Sequence, residues 1–460
     1  MSTIQKTLKD NTAFRWGILF LVAFVQAANY YFYDAISPLK RDLEENFNFT
    51  NTDFGLFVSA YSIPNIFLLM CIWGGIILDK IGIRRTGFLF IVMMAGGAMV
   101  TAYGASNTYS NGGFGYDLMN SFWTGYSPEL KMMLLGRFLF GLGAETSIVV
   151  VSKIIVKWFK GKELAMAFGF KIGIARAGSW AAFYFSPNIA ANASSWNVAI
   201  WFAAMLLVIA LLAFLVYTMF DNKLDNQIDK IKLLGDDEMF HMNDLIKLVT
   251  NRSFIYVTLL CLTFYSAVFP FQSFSADFFL NKFGFTQEMS GKIASLLSVG
   301  TIFFTPLVGL FVDKKGRSAT LMIFGSILIV FVHLSFALTM ISPIFLMIVL
   351  GIAFSLVPAA MWPSVAKIVD EKRIGSAYGT MFAIQNLGLW AFPLLIGIIL
   401  DRTNPGVTPE DVSSGMATYN YTYAILMLAG LGVLGLIFAI LLKRNDKTSG
   451  YGLELPSNTK

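Results

Sequence analysis

Charge is the scarcest thing in this chain: 13% of its 460 residues are Asp, Glu, Lys or Arg, against about 25% in soluble domains. Cysteine is nearly absent too. Cys71 and Cys261 both lie in apolar stretches, which excludes a disulfide framework and a cysteine metal site. There is no Walker loop, no His-Glu-x-x-His, no paired metal-ligand spacing and no nucleophile in its usual context. Neither enzyme chemistry nor a cofactor is therefore expected, and any active transport would have to be secondary. The net charge of +6 sits in short basic clusters between apolar runs, which argues against nucleic acid as a partner. Residues Met1 to Thr12 are polar and mixed in charge, so no cleavable leader is expected.

What the chain has in abundance is apolar sequence. Hydrophobic residues make up 56%, with 44 Phe, and the mean hydropathy is +0.65. A membrane span needs about 20 mostly apolar residues. Twelve stretches qualify, beginning near residues 14, 54, 86, 130, 163, 196, 253, 288, 318, 343, 374 and 418. With the N-terminus inside, only Lys40, Arg41, Lys282 and Arg402 fall on outer segments. Lys131, Arg137, Lys153, Lys171, Arg176 and Lys292 lie within or at the ends of spans, and the other 24 of the 34 Lys and Arg are internal. The outer segment Ser106 to Glu129 has no Lys or Arg at all. The positive-inside rule thus places both chain ends in the cytoplasm. The expected class is an all-α integral membrane protein, with the lipid bilayer as its surroundings. Residues 1–220 would form one six-helix half, 221–251 a polar cytoplasmic linker, 252–445 the second half and 446–460 a cytoplasmic tail. Within the linker, Met239 to Val249 has the pattern of a short surface helix.

An internal repeat supports the division. Gly75, Asp79, Lys80 and Gly82 recur at Gly309, Asp313, Lys314 and Gly316, an offset of 234. Arg84 and Arg317 lie just beyond. A fainter echo, at an offset of 210, pairs Ala167, Gly169, Arg176 and Gly178 with Ala377, Gly379, Asn386 and Gly388. Gly75 and Gly309 permit close helix approach, and Gly82 and Gly316 permit a tight turn. Asp79 and Asp313 can accept from a neighbouring helix terminus or pair with arginines such as Arg84 and Arg317. The expectation is a latch that holds one side shut in one state and breaks in the other; the plainer alternative is a static turn. This doubled loop resembles the signature of the major facilitator superfamily. That resemblance implies twelve helices in two pseudo-symmetric halves, with a site between them near the midplane.

Spans 4 and 5 carry full charges in their middles: Arg137, Glu145, Lys171 and Arg176. One such charge at a membrane-helix centre costs roughly 2.5–3.5 kcal/mol, so four together need a reason. At 1.5 Å per residue, Glu145 is about 16 Å deep, Lys171 about 12 Å and Arg176 about 20 Å. A carboxylate is thus bracketed in depth by two cations. Those cations stand about 140° apart around their helix, so both do not face it. One reading is an internal ion pair that neutralises buried charge. The favoured one is a clamp for a zwitterion, with Glu145 on an amine and a cation on a carboxylate; such a pair could also close on itself when empty. Arg137, beside Gly141 and Gly143, fits packing or coupling. Gln26, Asn29, Tyr30 and Tyr33 share one face of span 1, followed by Asp34. Tyr61, Ser62, Pro64 and Asn65 on span 2, Trp362 and Pro363 on span 10, and Gln385 and Asn386 on span 11 add polar cavity candidates. Lys153 and Lys157 are expected to snorkel, and His333 to be satisfied between helices.

Further segments are similar to one branch of the superfamily, the lysosomal dipeptide transporters. They are Tyr31 to Asp34, Tyr61 to Asn65, Gly136 to Glu145, Trp158 to Glu163 and Ala175 to Ser179. In the second half they are Val268 to Phe271, Lys282 to Phe285, Trp362-Pro363, Gly375 to Gly379 and Gln385 to Leu389. The resemblance implies uniport of dipeptides, with Glu145 on the amino end and Arg176 on the carboxylate end. Lys171, Asp277 and Lys292 depart from that branch. No acidic dileucine sorting signal is seen at the N-terminus, so a plasma or inner membrane is favoured over the lysosomal one the resemblance suggests. Two alternatives remain: an organic-anion carrier in which Arg137, Lys171 and Arg176 act together, possibly proton-coupled, and a non-transporting sensor on the same fold. Paired arginines of the nitrate-porter kind are not seen on spans 2 and 8.

Overall fold

The computed structural model describes residues 8–159, 162–227, 248, 250–370 and 373–456. Most of the 221–251 linker and of its expected surface helix lies outside them. The described residues are helical throughout, with no strand among them. The first half holds α1 (Thr12–Ala35), α2 (Lys40–Phe47), α3 (Asn51–Ala60), α4 (Ile63–Phe67) and α5 (Met70–Gly104). After the short α6 (Asn107–Ser110) and α7 (Tyr116–Asn120) come α8 (Pro128–Phe159), α9 (Leu164–Asn192) and α10 (Val198–Gln227). The second half holds α11 (Arg252–Phe283), α12 (Gln287–Lys315), α13 (Ser318–Leu338), α14 (Pro343–Ile368) and α15 (Ile374–Thr403). The short α16 (Pro409–Ser413) precedes α17 (Thr422–Ser449).

Helix starts follow local chemistry. Asn11 caps α1 and Asn251 caps α11, each accepting from the backbone N–H three residues on. Thr50 and Asp53 close a capping box at α3. Among the described residues, ten segments are long and apolar enough to cross a membrane, against the twelve expected. The two that fall short have physical reasons. The second span is broken at Tyr61–Ser62, just before Pro64, and again at Leu69, which takes a left-handed φ of 50°. Its remainder is the first part of α5, which ends at Gly82, where a non-helical φ of 82° turns the chain before the third span. The fifth, α9, is 29 residues long but contains Lys171 and Arg176. Gly316 turns the chain at φ 70° at the place equivalent to Gly82.

We call the end of the bundle holding residues 8–12 and 446–456 the proximal face and the opposite end the distal face. The halves meet distally, backbone against glycine. A Cβ on Gly55 would lie 2.5 Å from Pro393 O, on Gly397 2.2 Å from Asn51 O, and on Gly291 2.5 Å from Phe183 O. Polar contacts seal the same end. Lys40 Nζ reaches Asp277 Oδ2 at 2.9 Å and also holds Glu44. Tyr421 donates its hydroxyl to Asp277, and Asp401 accepts from the backbone of Asn51 and Thr52 at 3.2 and 2.8 Å. At the proximal face, the ion pairs between described residues all stay within one half. Arg15–Glu163 (2.7 Å) and Lys157–Asp221 (2.8 Å) are in the first, and Arg373–Asp370 (2.9 Å) in the second. A Cβ added to Gly75, Gly169, Gly173, Gly309 or Gly375 would meet nothing within 4 Å. The close helix approach expected at Gly75 and Gly309 is therefore not made in this conformation, because the proximal ends of the halves stand apart.

Candidate functional site

Between the halves lies a cavity of about 480 Å³. α1 contributes Gln26, Asn29, Tyr30 and Tyr33, the polar face read from its three-and-four spacing. α8 brings Glu145, α9 Lys171 and Arg176, α14 Trp362, and α15 Gln385 and Asn386. Asn65 stands behind the wall, its Nδ2 donating to Asn386 Oδ1 at 3.3 Å and so bridging the halves. The break in the second span gives the site one of its partners. Tyr61 is the first residue after α3, and its backbone oxygen lies 2.3 Å from where a Cβ on Gly141 would stand. Only glycine lets α8 pass that close. The Tyr61 hydroxyl then donates to Glu145 Oε1 at 2.7 Å.

Neither cation of α9 pairs with Glu145, so the site does not close on itself as an ion pair in this conformation. Arg176 has no hydrogen bond or ion pair among the described residues. Its guanidinium lies between Tyr30 (5.3 Å), Phe269 (5.5 Å) and Phe354 (5.1 Å), one ring from the first half and two from the second. Each such ring contact is worth about 0.5–2 kcal/mol, and ring faces leave the N–H edges free to donate. Lys171, 8% exposed, donates to Ser152 Oγ at 2.7 Å and Ile148 O at 3.4 Å. Gly178 seats α9 against α1, where an added Cβ would be 2.1 Å from Ala27 O.

The second-half wall is aromatic and internally bonded. Trp362 donates Nε1–H to the Tyr265 hydroxyl at 3.0 Å and stacks on Phe382 with ring centroids 4.8 Å apart. The Tyr378 hydroxyl donates to Trp362 O at 3.0 Å. Tyr265 and Phe354 were not singled out from sequence, and Phe269 only as part of the Val268 to Phe271 segment; in a chain with 44 Phe, wall aromatics carry no distinguishing pattern.

Arg137 and Asp34 stand outside the cavity lining. The Arg137 guanidinium is 2% exposed and donates from Nη2 to Tyr33 O at 2.9 Å. It is enclosed by the rings of Tyr33, Phe57, Tyr61 and Phe140 at 4.8–5.8 Å. It therefore backs the wall that holds Tyr33 and Tyr61. At the proximal face the partners differ from those expected. Asp79 accepts from Lys153 at 2.5 Å, not from Arg84. Arg84 and Lys157 instead converge on Asp225, at 3.0 and 2.7 Å, and Lys153 and Lys157 carry their ammonium groups to carboxylates at this end. Asp313 is exposed and its carboxylate unpaired among the described residues. Arg317 takes φ 61°, its backbone N–H donating to Glu454 O at 3.0 Å. His333 bonds Ile329 O of its own helix at 2.9 Å, and the backbone of Ala267 on α11 is its second polar neighbour. Among the described residues no group of three or more His, Cys, Asp or Glu could hold a metal ion.

A pseudo-twofold bundle with two signature turns and a polar cavity between its halves defines a class. The profile described as Major Facilitator Superfamily matches residues 19–393 and 258–457. The chain belongs to the major facilitator superfamily and is a multi-pass membrane protein. Within that family it is 32% identical over 399 residues to the lysosomal dipeptide transporter MFSD1 of Mus musculus, covering 85% of this chain and 81% of that one. The Homo sapiens protein of the same name is 31% identical over 399 residues, covering 85% and 80%. Among solved structures, the xylose transporter XylE from E. coli in an inward open conformation has a TM-score of 0.69 at 14% identity, covering 94% of this chain and 96% of that one. The nucleoside transporter NupG has 0.65 at 15%, covering 93% and 99%. These two share the fold.

Proposed function

We propose that this protein carries dipeptides across its membrane by alternating access. The observation that carries the reading is that Glu145 and Arg176 line one cavity, yet each is without the other as partner. Glu145 receives the peptide amine and Arg176 its carboxylate. Tyr33, Trp362, Gln385 and Asn386 enclose the rest, Asn65 braces Asn386, and Arg137 braces Tyr33 and Tyr61. The halves 1–220 and 252–445 rock as bodies, with the 221–251 segment joining them. The distal contacts of Lys40, Asp277 and Asp401 form one gate. The turns built on Gly75, Asp79, Gly82 and Arg84, and on Gly309, Asp313, Gly316 and Arg317, form the other. With the proximal face cytoplasmic, by the basic-residue asymmetry, the conformation described is open to the cytoplasm. The mouse and human relatives, named as dipeptide transporters, support the substrate class. No carboxylate beyond Glu145 lines the cavity to carry a proton, which favours uniport. A plasma or inner membrane is the favoured location.

One observation favours a second reading: Lys171 and Arg176 both line the cavity against one carboxylate, as an organic-anion carrier would require. Thermal stabilisation of the purified protein separates the two. At about 100 times its dissociation constant a ligand adds roughly 2.7 kcal/mol. Dipeptides should stabilise, and Glu145→Gln and Arg176→Ala should each abolish that effect while leaving the protein folded. Stabilisation by dicarboxylates with none by dipeptides would establish the second reading. Uptake into liposomes that is unchanged by a pH gradient checks uniport.

A further inference from the structure

We propose that Lys171 makes this carrier select dipeptides whose first side chain is acidic. The inference rests on the dipeptide reading above and adds the substrate's charge to it. It starts from a count of the chargeable groups that line the cavity, which among the described residues are Glu145, Lys171 and Arg176. A dipeptide with an uncharged side chain brings one ammonium and one carboxylate. These match Glu145 and Arg176 and leave Lys171 facing the ligand without an anion. Lys171 is 92% shielded from water, with no carboxylate at ion-pair distance among the described residues. A buried ammonium held only by neutral oxygens is expensive, and an anion supplied by the ligand removes that cost.

The position of Lys171 says which side chain would supply it. Its Nζ rests on Ile148 O and Ser152 Oγ of α8. Ile148 lies one turn to the proximal side of Glu145 on that helix, about 4.5 Å along the axis at 1.5 Å per residue. Arg176 lies five residues to the distal side of Lys171 on α9, about 7.5 Å by the same rise. The Lys171 ammonium therefore lies to the proximal side of Glu145 and Arg176, against the helix that carries Glu145. A dipeptide clamped by its ends between Glu145 and Arg176 projects its first side chain, next to its amine, toward Lys171. Its second side chain lies nearer the Tyr265, Phe269 and Trp362 wall. An Asp or Glu in first position puts a carboxylate within reach of the free Nζ proton, while a Lys or Arg there is repelled.

The test is titration of the purified full-length protein with Glu-Ala, Ala-Ala and Lys-Ala, read by thermal stabilisation, for wild type, Lys171→Gln and Lys171→Arg. One charge-assisted contact predicts Glu-Ala binding about tenfold tighter than Ala-Ala in wild type, with Lys-Ala weakest. Lys171→Gln should bring the three within about twofold while still binding Ala-Ala, and Lys171→Arg should keep the preference. Equal binding of Glu-Ala and Ala-Ala to wild type overturns the inference and leaves the dipeptide reading standing. So does a preference that persists in Lys171→Gln. Binding of none of the three by wild type overturns both.

Discussion

Replacing Lys40 should move this protein out of the conformation described. Lys40 and Asp277 are each within 5% of full burial, lie 237 positions apart in sequence, and join the two halves at the distal face. The same ammonium also holds Glu44, so one cation serves two buried carboxylates. Lys40→Met would leave those carboxylates facing each other with no counter-charge. Removing one member of a buried ion pair typically costs about 3–5 kcal/mol. The cost falls on the distal-closed state alone, because opening that face lets water reach both carboxylates. At 1.4 kcal/mol per decade, the closed-to-open ratio should drop by roughly two to four orders of magnitude. Hydrogen exchange reads this directly. Amides of α3 and of the distal end of α15, which pack together through Gly55 and Gly397, should lose protection in the variant. Adding Asp277→Asn leaves one carboxylate instead of two and should restore part of that protection, a coupling a double-mutant cycle measures. Exchange in Lys40→Met indistinguishable from wild type would show that the cluster does not hold the distal gate.

Two further outcomes follow from the proximal face. Gly75 and Gly309 look into open space here, so Gly75→Leu or Gly309→Leu should fold, bind ligand and keep the wild-type melting temperature. Either should nonetheless lose most transport by blocking proximal closure; uptake at the wild-type rate would remove these glycines from the gate. Glu163, exposed at the start of α9, accepts from Arg15 at 2.7 Å, and that hydrogen bond lowers its pKa below the usual carboxylate value. Because the folded-state pKa is the lower one, the contact contributes fully above the unfolded value and is lost as pH falls through the folded one. A Glu163→Gln variant should therefore show a small deficit in melting temperature at pH 7 that shrinks as pH falls below the ordinary carboxylate range; a deficit that grows toward low pH would contradict the assignment.

The parts of this molecule that could be read from sequence are those where composition conflicts with surroundings. A charge in an apolar stretch is visible because nothing around it explains it, and Glu145, Lys171 and Arg176 all reach the cavity. Whether such a charge is paired was not legible, since a partner can come from any helix. Asp277 stood out only as a departure from the related branch, and nothing near it in sequence points to Lys40. Glu145 offered two cations of the next span as partners and took the Tyr61 hydroxyl instead. That tyrosine is in reach because the second span breaks beside Pro64, at residues any hydropathy count reads as continuous helix. The aromatic wall stayed hidden for the opposite reason: Phe269 and Phe354 are indistinguishable from residues that face lipid. Pairing is also what separates the two uses of buried charge here. Lys40, Glu44 and Asp277 neutralise one another across a closed interface, so their energy is spent on conformation. Arg176 and Lys171 form no ion pair among the described residues, so theirs remains available to a ligand that brings an anion.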